Sequence, residues 1–192
     1  IAVDIKGRIY FTDPRYVGHE PIEQPVTGIY RIDTDGKVHR IVADLRQPNG
    51  IAISPDQKSL YVITVGTTST DILQDLGDLR AFQSGVHAYD LKEDGTATFR
   101  QTLVSFSGPR WGDGMTVDAD GNLYVAVAGP PADRGVHVYR PSGQLMEIIP
   151  TPNNAVNVEF GRGQESNVLY IAAEQKLYRI RLKTSRLRLP WE

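Results

Sequence analysis

One phrase is written four times along this 192-residue chain, and that repetition restricts the fold more than any other feature. The segments "IAVDIKGRIYFTD" (1–13), "IAISPDQKSLYVI" (51–63), "MTVDADGNLYVAV" (115–127) and "VEFGRGQESNVLYIA" (158–172) align with one another. Each is a short β-rich stretch, a turn of Gly, Asp, Pro or Ser type, and a second β-rich stretch carrying a tyrosine: Tyr10, Tyr61, Tyr124 and Tyr170. Behind each copy comes a further pattern: "GIYRIDTDGKVHRIV" (28–42), "GVHAYDLKEDGTATFRQTLV" (85–104), "GVHVYRPSGQLMEII" (135–149) and "KLYRIRLK" (176–183). In the first three of these, Asp-Gly or Ser-Gly supplies the positive backbone angles that a tight hairpin requires.

No segment of helical period and useful length competes; the nearest, 71–82, lies in a connection. Four strands per unit, recurring about every 45 to 60 residues, is the pattern of β-propeller blades. A run of separate hairpins would instead leave many strand edges exposed. The expected fold is therefore all-β, a propeller of four-stranded antiparallel blades, of which this chain carries about four. The last unit shows three strands, at 157–160, 168–172 and 177–182.

Blade topology sorts the loops before any motif is invoked. With the strands of a blade lettered a to d outward from the channel, the heads of strand a, the b–c loops and the d–a connections share one face. The a–b and c–d turns lie on the other. The stretches "QPNGIAISPDQKSLYV" (47–62) and "WGDGMTVDADGNLYVA" (111–126) put Asn49 and Asp113 at one structural position in successive blades, both at the channel mouth. An Asn carbonyl and an Asp carboxylate are the oxygen donors that a hard divalent ion takes. Such an ion polarises a carbonyl and lowers the pKa of bound water. The same residue types also cap turns, so spacing alone leaves both readings open.

Composition closes off other chemistry. A net charge of −2 leaves no basic surplus for gripping phosphate backbones, so nucleic acid is not an expected partner. Without cysteine there is no disulfide framework, thiolate nucleophile or thiolate zinc site. No apolar run approaches the roughly 20 residues of a helical membrane span, and no membrane partner is expected. "HEPIE" (19–23) is not a zinc-protease motif, because a second histidine is missing and Pro21 breaks a helix. It falls on a b–c loop at the mouth, which makes His19 and Glu20 candidate substrate contacts, with a solvated loop as the alternative.

His87 and His137 recur two residues before Tyr89 and Tyr139, and a repeated position argues for packing. His39 alternates with apolar neighbours and reads as exposed. "DTDG" (33–36) and "DADG" (118–121) have the glycine at the wrong offset for an EF-hand and no closing Glu, so they read as hairpin turns on the face away from the mouth. No Gly-x-Ser-x-Gly elbow occurs. The longest interruption, 66–85, exceeds the usual connection length and, on the mouth side, is a candidate lid that shapes substrate choice, with a mobile surface loop as the alternative.

At these residues the chain resembles the gluconolactonase/senescence-marker-protein (regucalcin-like) family of six-bladed propellers. The matching elements are "GRIYFTDPRY" (7–16), "QPNGIAISPDQKSLYV", "GDGMTVDADGNLYVA" (112–126) and "VNVEFGRGQESNVLYIAAEQKLYRI" (156–180), which together cover nearly the whole chain. The resemblance implies hydrolysis of small-molecule sugar lactones at one divalent cation, held in the channel by a Glu, an Asn and an Asp. Asn49 matches the Asn ligand, and Asp113 matches the Asp ligand and is the catalytic candidate for proton transfer, with the family's Glu as the alternative. Calcium is the first expectation for the ion, with zinc, magnesium and manganese as alternatives.

In the family the ligand Glu comes from an early blade, and a further substrate-contacting Asn belongs to a pair that would stand just before Ile1. The expectation is thus a single propeller domain over 1–192 that lacks its N-terminal blades, completed by a preceding segment or a second chain. Two other readings stand beside the lactonase: a non-catalytic propeller binding a ligand or protein at the same mouth, and an inactive fragment of the lactonase. The sequence assigns no compartment.

Overall fold

The repeated phrases become sheets because their turns close where glycine permits a left-handed backbone. In the computed structural model, which describes residues 1–14, 27–43, 45, 47–65 and 84–190, Gly7 and Gly121 take φ of 81° and 85° in turns between first and second strands. Gly36, Gly95 and Gly143 take 84°, 82° and 85° in turns between third and fourth strands. Glycine reaches these angles without a Cβ penalty.

The first blade is β1 (Ala2–Val3), β2 (Ile9–Asp13), β3 (Gly28–Ile32) and β4 (Val38–Val42). The second is β5 (Pro48–Ile53), β6 (Ser59–Thr64), β7 (Gly85–Leu91) and β8 (Ala97–Ser105). The third is β9 (Trp111–Val117), β10 (Leu123–Ala128), β11 (Gly135–Tyr139) and β12 (Leu145–Pro150). The fourth has β13 (Ala155–Phe160), β14 (Val168–Ala173) and β15 (Lys176–Arg181) among the described residues. Within each sheet, sequence neighbours are spatial neighbours and every pairing is antiparallel. The sheets are arranged as the blades of a propeller, as the repeat requires.

Register reveals what the repeated tyrosine does. Tyr10, Tyr61, Tyr124 and Tyr170 stand opposite Ala2, Ala52, Thr116 and Glu159 on the innermost strands. The Tyr10 hydroxyl donates to Asp4 Oδ2 at 3.1 Å, Tyr124 to Asp118 Oδ2 at 3.2 Å, and Tyr170 to Glu165 Oε2 at 2.6 Å. Asp4 also accepts the backbone N–H groups of Lys6 and Arg8, and Asp118 those of Asp120 and Asn122. A buried carboxylate thus satisfies the donors of its own turn, which is how a charge is tolerated inside a fold. The "DADG" turn belongs to this device. In the second blade Ser54 replaces the Asp, and Gln57 occupies the glycine position with φ of 62°. Its amide bonds the Ser54 carbonyl and accepts the Ile5 N–H of the first blade.

The core lies between blades. One cluster joins Tyr10, Ile29 and Val42 to Ile51, Leu60 and Tyr89; a second joins Ile63 and Val86 to Leu123 and Val125; a third joins Tyr124 and Val136 to Val158 and Leu169. Fully burying one such side chain stabilises by about 1.5–3 kcal/mol, so each blade depends on its neighbour for that gain. His87 and His137 are buried, in line with their expected packing role. His87 bonds Thr64 and Thr102 through its two ring nitrogens at 2.7 and 3.1 Å. His137 Nε2 donates to the Asp133 carbonyl at 2.7 Å, and the Tyr139 hydroxyl approaches its Nδ1 at 3.1 Å. His39 is partly exposed, with Nε2 3.1 Å from Asp33.

Candidate functional site

Three of the innermost strands carry an irregularity at the same place. Between Pro48 and Ile51, β5 advances three residues while β6 advances two, from Thr64 to Val62. Between Gly112 and Met115, β9 does the same against β10. Between Ala155 and Asn157, β13 gains one residue on β14. A β-bulge of this kind re-aims the side chains it contains, and the bulged residues here include Asn49, Asp113 and Val156.

The structure brings Asn49 and Asp113 together, although 64 positions separate them: Asn49 Nδ2 donates to Asp113 Oδ1 at 2.8 Å. The head of β5 is fixed from the other side by Thr12, whose hydroxyl donates to the Asn49 carbonyl at 2.8 Å. Both residues line a cavity of about 470 Å³ at the strand heads, together with Thr12, Asn157 and Glu159. Burial raises the Asp113 pKa above the ordinary carboxylate value, and the Asn49 bond opposes that only in part.

Two glycines allow this approach. A Cβ on Gly50 would collide with the Asp113 carbonyl oxygen, and one on Gly114 with the Asn157 side chain. Asn-Gly and Asp-Gly ordinarily announce hairpin turns; here both dipeptides lie within strands and serve close packing about the axis.

The donor set suits a hard cation. It consists of two amides, two carboxylates and a hydroxyl, each able to offer oxygen, and the cavity lining includes no basic side chain among the described residues. Among those residues no group of three or more His, Asp and Glu side chains is disposed to hold an ion. Asn49 and Asp113 bring an amide and a carboxylate to one point of the cavity.

His19 and Glu20 lie outside the described residues, as do 66–83 of the candidate lid. Sequence reasoning missed Asn157, Glu159 and Thr12. The aligned register would have found Glu159, since it occupies the place of Ala2, Ala52 and Thr116 opposite the repeated tyrosine.

Residues 1–175 match the family described as SMP-30/Gluconolactonase/LRE-like region. A gluconolactonase of Zymomonas mobilis is 29% identical over 190 residues, covering 93% of this chain and 48% of that protein. Lactonase drp35 of Staphylococcus epidermidis is 37% identical over 133 residues, covering 67% of this chain and 35% of that protein. The chain thus spans about half the length, or less, of these relatives. Among solved structures, a gluconolactonase of Xanthomonas campestris superposes with a TM-score of 0.73 at 29% identity, covering 93% of this chain and 55% of that one. The calcium-binding protein regucalcin of Agrobacterium tumefaciens shares the fold, with a TM-score of 0.63 at 18% identity over 86% of this chain and 55% of that one.

Proposed function

The chain belongs to the SMP-30/gluconolactonase/LRE-like family, and from that membership we propose that the protein carrying it hydrolyses sugar lactones at the channel mouth with the help of a divalent cation. The observation that carries the reading is the meeting of Asn49 and Asp113 from successive blades, in a cavity lined by oxygen donors.

Asn49 and Asp113 would hold the ion, with calcium as the first candidate. When bound, it supplies polarisation of the lactone carbonyl and a lower pKa for water. The rest of the work falls to the chain itself. The Asn49 amide orients the Asp113 carboxylate. Asp113 takes a proton from the attacking water as its oxygen bonds to the carbonyl carbon. It returns a proton to the ring oxygen as the ester C–O bond breaks, which leaves a hydroxy acid. Gly50 and Gly114 keep the strand heads close enough for the pair to form. His19 and Glu20, on the connection between β2 and β3, are proposed as substrate contacts.

The test is turnover of gluconolactone by the whole protein before and after chelation, followed by readdition of calcium. Activity that is lost on chelation and restored by the ion supports the proposal. Chelator-insensitive turnover removes the cation from it, and absence of turnover removes the lactonase.

A further inference from the structure

Glu159 is a second carboxylate in the cavity that the proposed mechanism does not use. Its Oε1 accepts two bonds, from the Thr116 hydroxyl at 2.9 Å and from the Phe160 N–H at 2.8 Å. The first of these crosses from β9 to β13, so the carboxylate is pinned between two blades. Its Oε2 makes no hydrogen bond to the described residues.

The side chain lines the strand-head cavity with Asn49 and Asp113, and also a deeper channel cavity of about 260 Å³. Arg162 and Arg186 line the deeper space and not the upper one. The upper cavity therefore presents two carboxylates and no basic side chain among its described lining. In the other three blades the equivalent positions are Ala2, Ala52 and Thr116, none of them charged. The charge is a feature of one blade and no part of the repeat.

We propose that Glu159 determines specificity in this cavity: its carboxylate accepts hydrogen bonds from the hydroxyls of a neutral, polyhydroxylated lactone and repels lactones that bear a carboxylate of their own. The inference rests on the lactonase reading and narrows its substrate class. Two physical effects support it. A carboxylate already held in place by Thr116 and Phe160 rewards substrates whose hydroxyls match it. A like charge facing the substrate disfavours the wrong partner.

The experiment compares gluconolactone with the monolactone of glucaric acid, which carries a free carboxylate, in the whole protein and in two variants. Glu159→Gln keeps an acceptor for Thr116 and Phe160 while removing the charge. It should raise kcat/KM for the glucaric monolactone at least about tenfold relative to gluconolactone. Glu159→Ala should lower kcat/KM for gluconolactone through KM and also relieve the discrimination. A residue that only braces β9 against β13 would change melting temperature without moving the ratio of the two substrates. An unchanged ratio in variants of an active enzyme overturns the role of Glu159 and leaves the lactonase standing. A wild-type protein that opens neither lactone overturns the lactonase reading itself.

Discussion

At the scale of single residues, two side chains show how burial sets chemistry. Asp113 is held half-buried and bonded to Asn49, and in the proposed site it supplies the negative charge that an ion would neutralise. Replacing Asp113 with Ala in the whole protein should weaken calcium affinity by roughly a hundredfold or more, since affinity follows ligand charge count. Calorimetric titration checks this, and unchanged binding would end the assignment. His137 carries the opposite lesson. Burial depresses its pKa below the ordinary histidine value, so between the folded and unfolded values the unfolded chain binds more protons. Stability should then rise with pH through that window and be lost as pH falls below about 6.5, the unfolded value. Melting temperatures measured across about pH 7.5 to 5.5 should fall less steeply for His137→Gln than for the wild type, even if the variant starts lower. Equal slopes would remove His137 from the acid sensitivity.

At the scale of elements, strand heads and turns fail differently. Gly36 has φ of 84° and nothing near its missing Cβ. Its replacement by Ala should cost about 1–2 kcal/mol through backbone conformation alone and leave ligand affinity untouched. At Gly50 a Cβ meets the backbone of Asp113, which can yield only by moving β9. Gly50→Ala should cost about 1–3 kcal/mol and also reduce calcium affinity, because it parts the two strand heads. Thermal melts and titration of both variants separate the two effects, and a Gly50→Ala protein with wild-type affinity would contradict the crowding argument. The contrast marks what was legible in the sequence. The blades were, because strand period, turn glycines and the fourfold tyrosine are local signals. The meeting of Asn49 and Asp113 was, because a repeat converts sequence position into spatial position. Gly50 and Gly114 were not read for what they do, since Asn-Gly and Asp-Gly are local turn signals and only packing against the innermost strand of the next blade changes their meaning. Glu159 lay within reach of the aligned register, but its bond to Thr116 spans 43 residues and exists only once two blades are docked.

At the scale of the whole molecule, apolar clusters and candidate site obey one rule. Each cluster is shared by two adjacent blades, and Asn49 sits on the second blade while Asp113 sits on the third. An ion bound by both therefore acts as a clamp across a blade boundary. It binds the assembled arrangement and finds no such pair in the unfolded chain, where the two residues are far apart. Mass action then requires that the ion stabilise the fold by about 2.7 kcal/mol at a hundredfold excess over Kd, enough to raise Tm by several degrees. Calcium added to the chelated whole protein should produce that rise in a thermal melt. It should fail to do so in Asp113→Ala, whose blade packing is otherwise intact, while Gly36→Ala should show the full rise from a lower starting point. A calcium-dependent rise of equal size in Asp113→Ala would place the ion elsewhere in the molecule and separate the channel mouth from metal binding altogether.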